Sequence, residues 1–287
     1  MVKGIDAVVD VIRRSDKKRY VKVSRFRGGV ETFGTDDPEE ARIMLMQGGF
    51  SIVGNDVWFV VEESLESMVE VGVDALFNGK EFLGVVFDTV EMKGAGNFTQ
   101  VIDIEESIWS DVLRKFEPWL RRNGYHGFFC LEGFYDGSNI YVTDVTPRYP
   151  YICSHAYPRI IENYADVIVG VARGEDVEPK VNVEYSAQIG VYTDDPDRWR
   201  IIRYSGDDRE WIAYRRVIKK GDYIWFVPGD YVVAVAISAG NNIDRVVEEA
   251  IERSEKVSST SIYTQGREFK QYLHEVLERM SELGISW

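Results

Sequence analysis

The chain has 287 residues, 45% hydrophobic and 13% aromatic, which is enough to bury a sizeable core in two or three structural units. Its 48 acidic and 34 basic residues give a formal charge of −14. This balance argues against nucleic acid or an anionic membrane as the main partner. A small anionic ligand would therefore need a local basic pocket.

The two cysteines, Cys130 and Cys153, lack CxxC spacing and a histidine cluster, which favours a reducing compartment and no zinc site. We interpret both as small core residues. The N-terminal 22 residues are charged, and no stretch approaches the roughly 18 apolar residues of a membrane span, so we expect a cytoplasmic protein. With three histidines and no GxSxG serine, chemistry would rest on carboxylates, lysine and arginine rather than on a hydrolase triad.

The first 64 residues alternate between predicted helices and strands. Residues 4 to 14 predict an amphipathic helix, and YVKVS predicts a strand in which Lys22 is the one charged residue. RFRGGVETFG, residues 25 to 34, is interpreted as a loop. Asp37 before Pro38, with two glutamates in the first turn, predicts a helix through Met46. The apolar run VWFVVEES, residues 57 to 64, then predicts a buried strand.

Two hairpins dominate the middle of the chain. VEVGVDALF and EFLGVVFDTVEMK predict paired strands across a turn at Asn78-Gly79. Residues 105 to 123 predict a helix, after which HGFFCLEGFY and NIYVTDV predict a second hairpin across Asp136-Gly137. Residues 160 to 173 predict another helix, and residues 175 to 180 a linker.

The pattern of predicted elements changes beyond residue 181. AQIGVYT, WRIIRY, EWIAYRRVI and DYVVAVAIS predict short strands, and residues 242 to 254 and 268 to 283 predict helices. We interpret this part as a smaller α+β unit, so the expected division is 1–64, 65–180 and 181–287. The sequence shows no internal repeat or low-complexity tract.

The second hairpin contains the strongest candidate for a metal site. It places Glu132 and Asp144 on neighbouring antiparallel strands, where alternation lets both carboxylates face one side. Oxygen ligands of this kind suit Mg²⁺. The alternative is a pair of carboxylates that face solvent.

Two earlier segments could serve a nucleotide. Lys22 and the following Gly/Arg loop could place cations and backbone N–H groups around a polyphosphate, although a solvated edge-strand lysine fits equally well. The segment Glu62 to Leu65 and the carboxylate of Glu70 could contact a purine and its ribose. Taken alone, that segment is an ordinary acidic connection.

The order of these features resembles the ATP-grasp superfamily over residues 1 to about 180, and within it the glycinamide ribonucleotide synthetases. The likeness rests on Lys22 in its strand, on VEESL at Val61 to Leu65, on Glu70, on the Asn78-Gly79 hairpin and on DVTPRYP. ENYADVIVGVARGE also resembles the segment after that family's metal strand. The resemblance implies an α+β fold in which two subdomains with antiparallel sheets clamp ATP, followed by a small C-terminal α+β domain.

The resemblance also implies roles for individual residues in an ATP-dependent carboxylate-amine ligase that works through an acyl phosphate. Lys22 would contact the ATP phosphates, and Arg148 would lie near the transferred phosphate. Glu132 and Asp144 would hold Mg²⁺. The remaining nucleotide contacts would be Arg27, Gly28 and Gly29 in the phosphate loop, Glu62, Glu63 and Leu65 at the adenine, Glu70 at the ribose, and Lys93 at phosphate.

Several departures from the family pattern leave other interpretations open. Thr146 stands where the family has an asparagine metal ligand, and Asp144 where it has glutamate. The chain also begins where the family's ATP-binding module begins. A separate chain would then supply the N-terminal domain, or the substrate differs, or the protein is a nucleotide-binding or assembly protein without turnover. The tyrosines near His155 could shape an acceptor pocket, but core packing is the preferred interpretation. The identities of the carboxylate and the amine do not follow from the sequence.

Overall fold

The computed structural model describes residues 1–23, 32–48, 56–65, 68–285 and 287. The chain divides into two units, Met1–Ser67 and Met68–Trp287. The expected division into three parts stays a prediction, and strands from both sides of residue 180 join one sheet. Within the described residues, no helix is long and apolar enough to cross a membrane.

The first unit is a four-stranded antiparallel sheet, in the order β1-β4-β2-β3, with two helices that pack together. Val21 and Phe59 are fully buried in its core. The predicted start of the second helix is confirmed, because the carboxylate of Asp37 accepts hydrogen bonds from the backbone N–H groups of Glu39 and Glu40. Its elements are β1 (Val2–Lys3), α1 (Ile5–Arg13), β2 (Arg19–Val23), β3 (Thr32–Thr35), α2 (Pro38–Gln47) and β4 (Trp58–Glu63).

The prediction of a loop over residues 25 to 34 is wrong for its last residues. Thr32–Thr35 forms a strand that pairs antiparallel with β2. Phe33 lies opposite Val21 in this pairing and is buried with it, so tertiary packing orders a segment that has weak strand character. Residues 24 to 31 lie outside the described residues.

The second unit is built on a sheet of nine strands among the described residues, with the main order β12-β15-β10-β7-β6-β5-β8-β9 and with β17 paired to β10. A smaller sheet has the order β13-β14-β11-β16. The elements are β5 (Val69–Phe77), β6 (Val85–Met92), β7 (Gly96–Asp103), α3 (Ser110–Arg122), β8 (Gly127–Tyr135), β9 (Ile140–Thr146), α4 (Tyr157–Ile160), α5 (Tyr164–Arg173), β10 (Tyr185–Thr193), β11 (Arg200–Tyr204), β12 (Ile212–Tyr214), β13 (Val217–Lys220), β14 (Tyr223–Phe226), β15 (Val232–Gly240), α6 (Ile243–Glu255), β16 (Val257–Ser258), β17 (Ile262–Thr264) and α7 (Gly266–Glu282).

The main core lies between one face of the large sheet and helices α3, α6 and α7. Val69, Val71 and Val73 of β5 alternate onto this face and are almost fully buried. A second cluster, around Phe128 and Tyr157, packs α4 and α5 against the other face. The part of that face left uncovered forms the cleft described below.

The sequence interpretation missed β7, which lies in the sheet between β6 and β10. Its buried Asn97 and Thr99 interrupt the hydrophobic alternation that marks a strand. Helix α3 begins at Ser110 rather than at residue 105. The Ser107 hydroxyl accepts from the Trp109 N–H and donates to Asp88, and these bonds hold the preceding turns outside the helix.

Candidate functional site

A cleft lies on the sheet of the second unit, with about 640 Å³ of empty space that includes open solvent. Its floor comes from β5, β6 and β8, and one wall from the segment after β9. The charged side chains that line it are Glu70, Asp74, Glu91, Lys93, Glu132 and Arg148.

Strand alternation explains why these charges meet. In β5 the valines face the helices, so the intervening residues Glu70, Gly72 and Asp74 face the cleft. The same alternation in β6 and β8 turns Glu91 and Glu132 to that side. One face of a single sheet therefore collects carboxylates from three neighbouring strands.

The carboxylates predicted to bind metal are brought together. Glu132 lies directly opposite Asp144 in the β8–β9 pairing and opposite Gly72 in the β5–β8 pairing. Asp144 is exposed and accepts hydrogen bonds from the Val145 N–H at 2.9 Å and from the Thr146 hydroxyl at 3.4 Å.

Burial and the neighbouring carboxylates together disfavour the ionised form of Glu132. Burial raises the pKa of Glu132, the positive charge of Lys93 acts in the opposite direction, and repulsion from Asp144 and Glu70 raises the pKa further. The described residues contain no cluster of three or more His, Cys, Asp or Glu side chains able to hold a metal ion. A cation here would thus need ligands beyond the protein's two carboxylates.

Glu91 is a site residue that sequence reasoning missed. Burial raises its pKa to about 7, and repulsion from Glu132 adds to this effect, whereas Lys93 opposes it. The sequence signal was present, since a glutamate interrupts the apolar strand VVFDTVEM. Without the register of β5 and β8, however, nothing indicated that it shares a face with Glu132.

Two cations line the cleft with these acids. Lys93 directly follows β6 and is exposed. Arg148 is also exposed, and its Nη1 donates to the Tyr149 carbonyl at 2.7 Å. The Cys130 thiol lies 3.5 Å from the Arg148 carbonyl and donates to it, which ties the backbone at Arg148 to β8.

Asp74 was not predicted either, and it is the most buried of the cleft acids, with 4% of its surface exposed. It accepts a hydrogen bond from the Tyr157 hydroxyl, and the thiols of Cys130 and Cys153 face the same carboxylate. Burial raises the pKa of both thiols well above the usual range, so they stay protonated. The two cysteines are core residues as expected, and they also line this site.

The tyrosines after β9 divide between packing and the cleft. Tyr157 is fully buried and stacks on Phe128 at 5.2 Å, as the core interpretation expects. Tyr151 lines the cleft, and the guanidinium of Arg215 lies 4.9 Å from its ring centroid. The burial of His155 and the neighbouring Arg215 lower the pKa of its imidazole to about 4, so this histidine is neutral at physiological pH.

In the first unit, two of the residues predicted to contact nucleotide meet. Nζ of Lys22 on β2 lies 2.7 Å from a carboxylate oxygen of Glu62 on β4. Glu63, next along β4, turns to the opposite face and lies 3.2 Å from Arg19. Leu65 follows β4 and is half-buried. Arg27, Gly28 and Gly29 lie outside the described residues.

No family model and no curated protein matches this sequence. Solved structures do. A phosphoribosylamine–glycine ligase from Thermotoga maritima superposes with a TM-score of 0.73 at 16% identity, over 91% of this chain and 71% of that one. A biotin carboxylase from Campylobacter jejuni superposes with a TM-score of 0.61 at 13% identity, over 92% of this chain and 63% of that one.

This chain has the ATP-grasp fold. The predicted fold class is therefore confirmed. At these identities the likeness concerns the fold alone, and the chain spans only part of either ATP-grasp structure. The roles assigned to individual residues stay predictions.

Proposed function

We propose that this protein is an ATP-dependent ligase that activates a carboxylate as an acyl phosphate and joins it to an amine, with release of ADP and phosphate. One observation carries the proposal. On a sheet with the ATP-grasp fold, Glu132 lines one cleft with the cations Lys93 and Arg148, and it lies directly opposite Asp144 in the β8–β9 pairing. The names of the two similar structures, a glycine ligase and a carboxylase solved with β,γ-ATP, support ATP-dependent chemistry of this kind.

The carboxylates fit Mg²⁺ on physical grounds. Glu132 is held opposite Asp144; burial is the main cause of its raised pKa, repulsion from Asp144 adds to it, and a divalent cation would relieve that repulsion. Mg²⁺ is commonly bound by one or two carboxylates together with nucleotide phosphates and waters, which suits a site with two protein ligands. Bound there, it would neutralise charge on the phosphates.

The proposal gives the other residues binding and orienting roles. Lys22 contacts the ATP phosphates, and Lys93 supplies a second cation. Arg148 is placed at the transferred phosphate. The adenine and ribose contacts are Glu62, Glu63, Leu65 and Glu70, and the phosphate loop is Arg27, Gly28 and Gly29.

The reaction proceeds in two displacements. A substrate carboxylate oxygen attacks the γ-phosphorus, a new O–P bond forms, and the bond to the β,γ-bridging oxygen breaks to release ADP. An amine nitrogen then attacks the acyl carbon, the C–O bond to phosphate breaks, and the nitrogen loses a proton. The protein mainly positions the reactants and balances the charge of the phosphoryl group.

Hydroxylamine tests this scheme without knowledge of the natural amine, because it traps an acyl phosphate as a hydroxamate. The purified chain is incubated with ATP, Mg²⁺, hydroxylamine and a panel of carboxylic acids that includes amino acids. ADP and hydroxamate should form together with at least one acid, and both should be lost in Arg148→Met. ADP release that does not depend on any acid would contradict the ligase proposal.

A nucleotide-binding or assembly protein without turnover is the second candidate. Two observations favour it: the oxygens of Asp144 already accept local hydrogen bonds, and the edge strand β9 exposes the apolar side chains of Tyr141, Val142 and Val145. A partner chain that completes the substrate site would fit such an edge. Nucleotide binding without hydroxamate, together with a stable complex with another protein, would support this second candidate.

A further inference from the structure

Tyr151 is a side chain of the cleft that the proposed reaction does not use. It follows Pro150 in the segment after β9, and it is the aromatic side chain among the described residues that line the cleft. Tyr151 is 41% exposed, so packing in the core does not account for its position. An exposed ring in the wall of a cleft offers a flat apolar surface to a ligand.

The backbone next to Tyr151 has a strained conformation. Ile152 has a φ of 61° and a ψ of −59°, and the Cys153 N–H donates to the Tyr151 carbonyl at 2.8 Å. These values describe a γ-turn with positive φ, which is rare and strained, and a β-branched residue is an unfavourable centre for it. Ile152 is almost fully buried and packs with Val235 and Ile237 of β15, and this packing holds the turn. Strain of this kind is concentrated at ligand sites.

Arg215, which follows β12, covers one face of the Tyr151 ring. The carbon at the centre of its guanidinium lies 4.9 Å from the ring centroid. The guanidinium is itself fixed, because Nη2 donates to the Asp230 carboxylate at 3.2 Å and Nη1 lies 3.4 Å from Nε2 of His155. A cation over the face of an aromatic ring is attracted to it, so Arg215 restrains the orientation of Tyr151.

The position of Arg148 indicates which reactant would meet the ring. Arg148 and Tyr151 line the same cleft, and Nη1 of Arg148 donates to the Tyr149 carbonyl at 2.7 Å, so its guanidinium lies along the segment that contains Tyr151. In the proposed first step, a single oxygen separates the acyl carbon from the transferred phosphorus. A substituent on that carbon is therefore held close to Arg148 and within reach of the wall that Tyr151 forms.

We propose that Tyr151 is a specificity-determining residue for the carboxylic acid, whose aromatic or other flat apolar substituent packs on its ring, and that Arg215 is the positioning residue that holds the ring. This inference rests on the proposed function, which assigns Arg148 to the transferred phosphate. A cationic substituent is disfavoured, because a guanidinium already covers one face of the ring. An anionic substituent would share the cleft with Glu70 and Glu91.

The test measures hydroxamate formation by the full chain with ATP, Mg²⁺ and hydroxylamine, with phenylacetate and acetate as the two acids. The wild type should have a KM for phenylacetate about 10-fold or more below its KM for acetate. Tyr151→Ala should remove most of this difference and leave kcat and the KM for ATP within about twofold. Arg215→Met should raise the KM for phenylacetate by about threefold or more and add nothing in the Tyr151→Ala background, while Arg215→Lys should restore part of the loss.

The chain offers matched controls for both changes. Arg216→Met, at the exposed next residue, and Tyr223→Ala, at an exposed tyrosine of β14, should leave every KM within about twofold. Three results would overturn the inference: a wild type without preference for phenylacetate, an equal rise of both KM values in Tyr151→Ala, or the same effect of Arg215→Met with and without the ring.

A second readout separates this inference from the proposed function. If no acid of the panel gives ADP or hydroxamate, the proposed function fails, and calorimetry with phenylacetate alone tests the inference. Binding that weakens by about 10-fold in Tyr151→Ala but not in Tyr223→Ala would support it. Absence of binding to the wild type at millimolar phenylacetate would overturn it. Should Tyr151→Ala fail to fold, Tyr151→Leu, which keeps the bulk without the flat ring, replaces it with the same criteria.

Discussion

Glu132 and Asp144 lie directly opposite each other on the antiparallel strands β8 and β9, one half-buried and the other exposed. The pairing places two negative charges side by side at the edge of a cleft that also contains Glu91. The two carboxylates repel each other, and a bound cation would reduce this repulsion, so the pair is a candidate cation site.

Replacing Glu132 by glutamine should lower the affinity for a non-hydrolysable ATP analogue with Mg²⁺ by about 10-fold or more, because one of two charged oxygen ligands is lost. Affinity measured without Mg²⁺ should be unchanged or improved, since the repulsion toward phosphate falls. Glu278→Gln, an exposed residue of α7, is the control. Equal losses with and without Mg²⁺ would contradict a role for Glu132 in metal binding.

Replacing Lys22 by alanine should weaken nucleotide binding by about 10-fold or more, because a cation near the phosphates is removed. The free energy of unfolding should fall by less than about 1 kcal/mol, since the ion pair between Lys22 and Glu62 is partly exposed. Calorimetry and urea unfolding measure the two effects. Lys17→Ala, at an exposed position before β2, should change neither. Unaltered nucleotide affinity in Lys22→Ala would remove this residue from the proposed site.

The buried carboxyl of Asp88 should make stability depend on pH. Burial raises its pKa from 3.8 to about 7, so between these values the folded state binds more protons than the unfolded state. The stability that the protonated form contributes is complete below pH 3.8 and is lost as the pH rises through 7. From pH 4.5 to 8, wild type should therefore lose about 3 kcal/mol relative to Asp88→Asn.

Urea unfolding of both proteins at several pH values measures this difference. Asp166→Asn, an exposed change on α5, should track the wild type throughout. A constant difference between wild type and Asp88→Asn over the whole range would show that Asp88 has no raised pKa.

A side chain on Gly72 should disturb the floor of the cleft. A Cβ atom there would lie 2.5 Å from the Thr89 hydroxyl on the paired strand β6, which is closer than real contacts allow. Gly72→Ala should therefore lower the free energy of unfolding by about 1–3 kcal/mol, as expected for overpacking. In the Thr89→Ala background, Gly72→Ala should lower the free energy of unfolding by less, because the hydroxyl is absent.

Gly84→Ala is the matched control, because its Cβ would lie 3.4 Å from Glu178, an ordinary contact distance. Urea unfolding compares the variants. A loss in Gly72→Ala that persists unchanged in the Thr89→Ala background would show that the hydroxyl is not the obstacle.

Local sequence patterns were sufficient to predict both hairpins and the fold class of this protein. The alternation in VEVGVDALF with its Asn78-Gly79 turn determined the first hairpin, and the Asp136-Gly137 turn determined the second, because side-chain direction along a strand and turn geometry are set by neighbouring residues. The order of the motifs was enough to predict the ATP-grasp fold, and the hairpin register was enough to bring Glu132 and Asp144 together.

The tertiary structure alone decided the rest. Strand β7 pairs with β6 and β10 and buries Asn97 and Thr99, whose side chains hydrogen-bond to each other, although these residues look like a loop in the sequence. Glu91 and Asp74 share a cleft with Glu132 only because β5 pairs with β8, a strand distant in sequence, and no local periodicity encodes that pairing. A carboxylate acquires its chemistry from burial and from charges that long-range packing brings near it, and for that reason the sequence indicated the fold and the pairing of Glu132 with Asp144 but not the acids beside them.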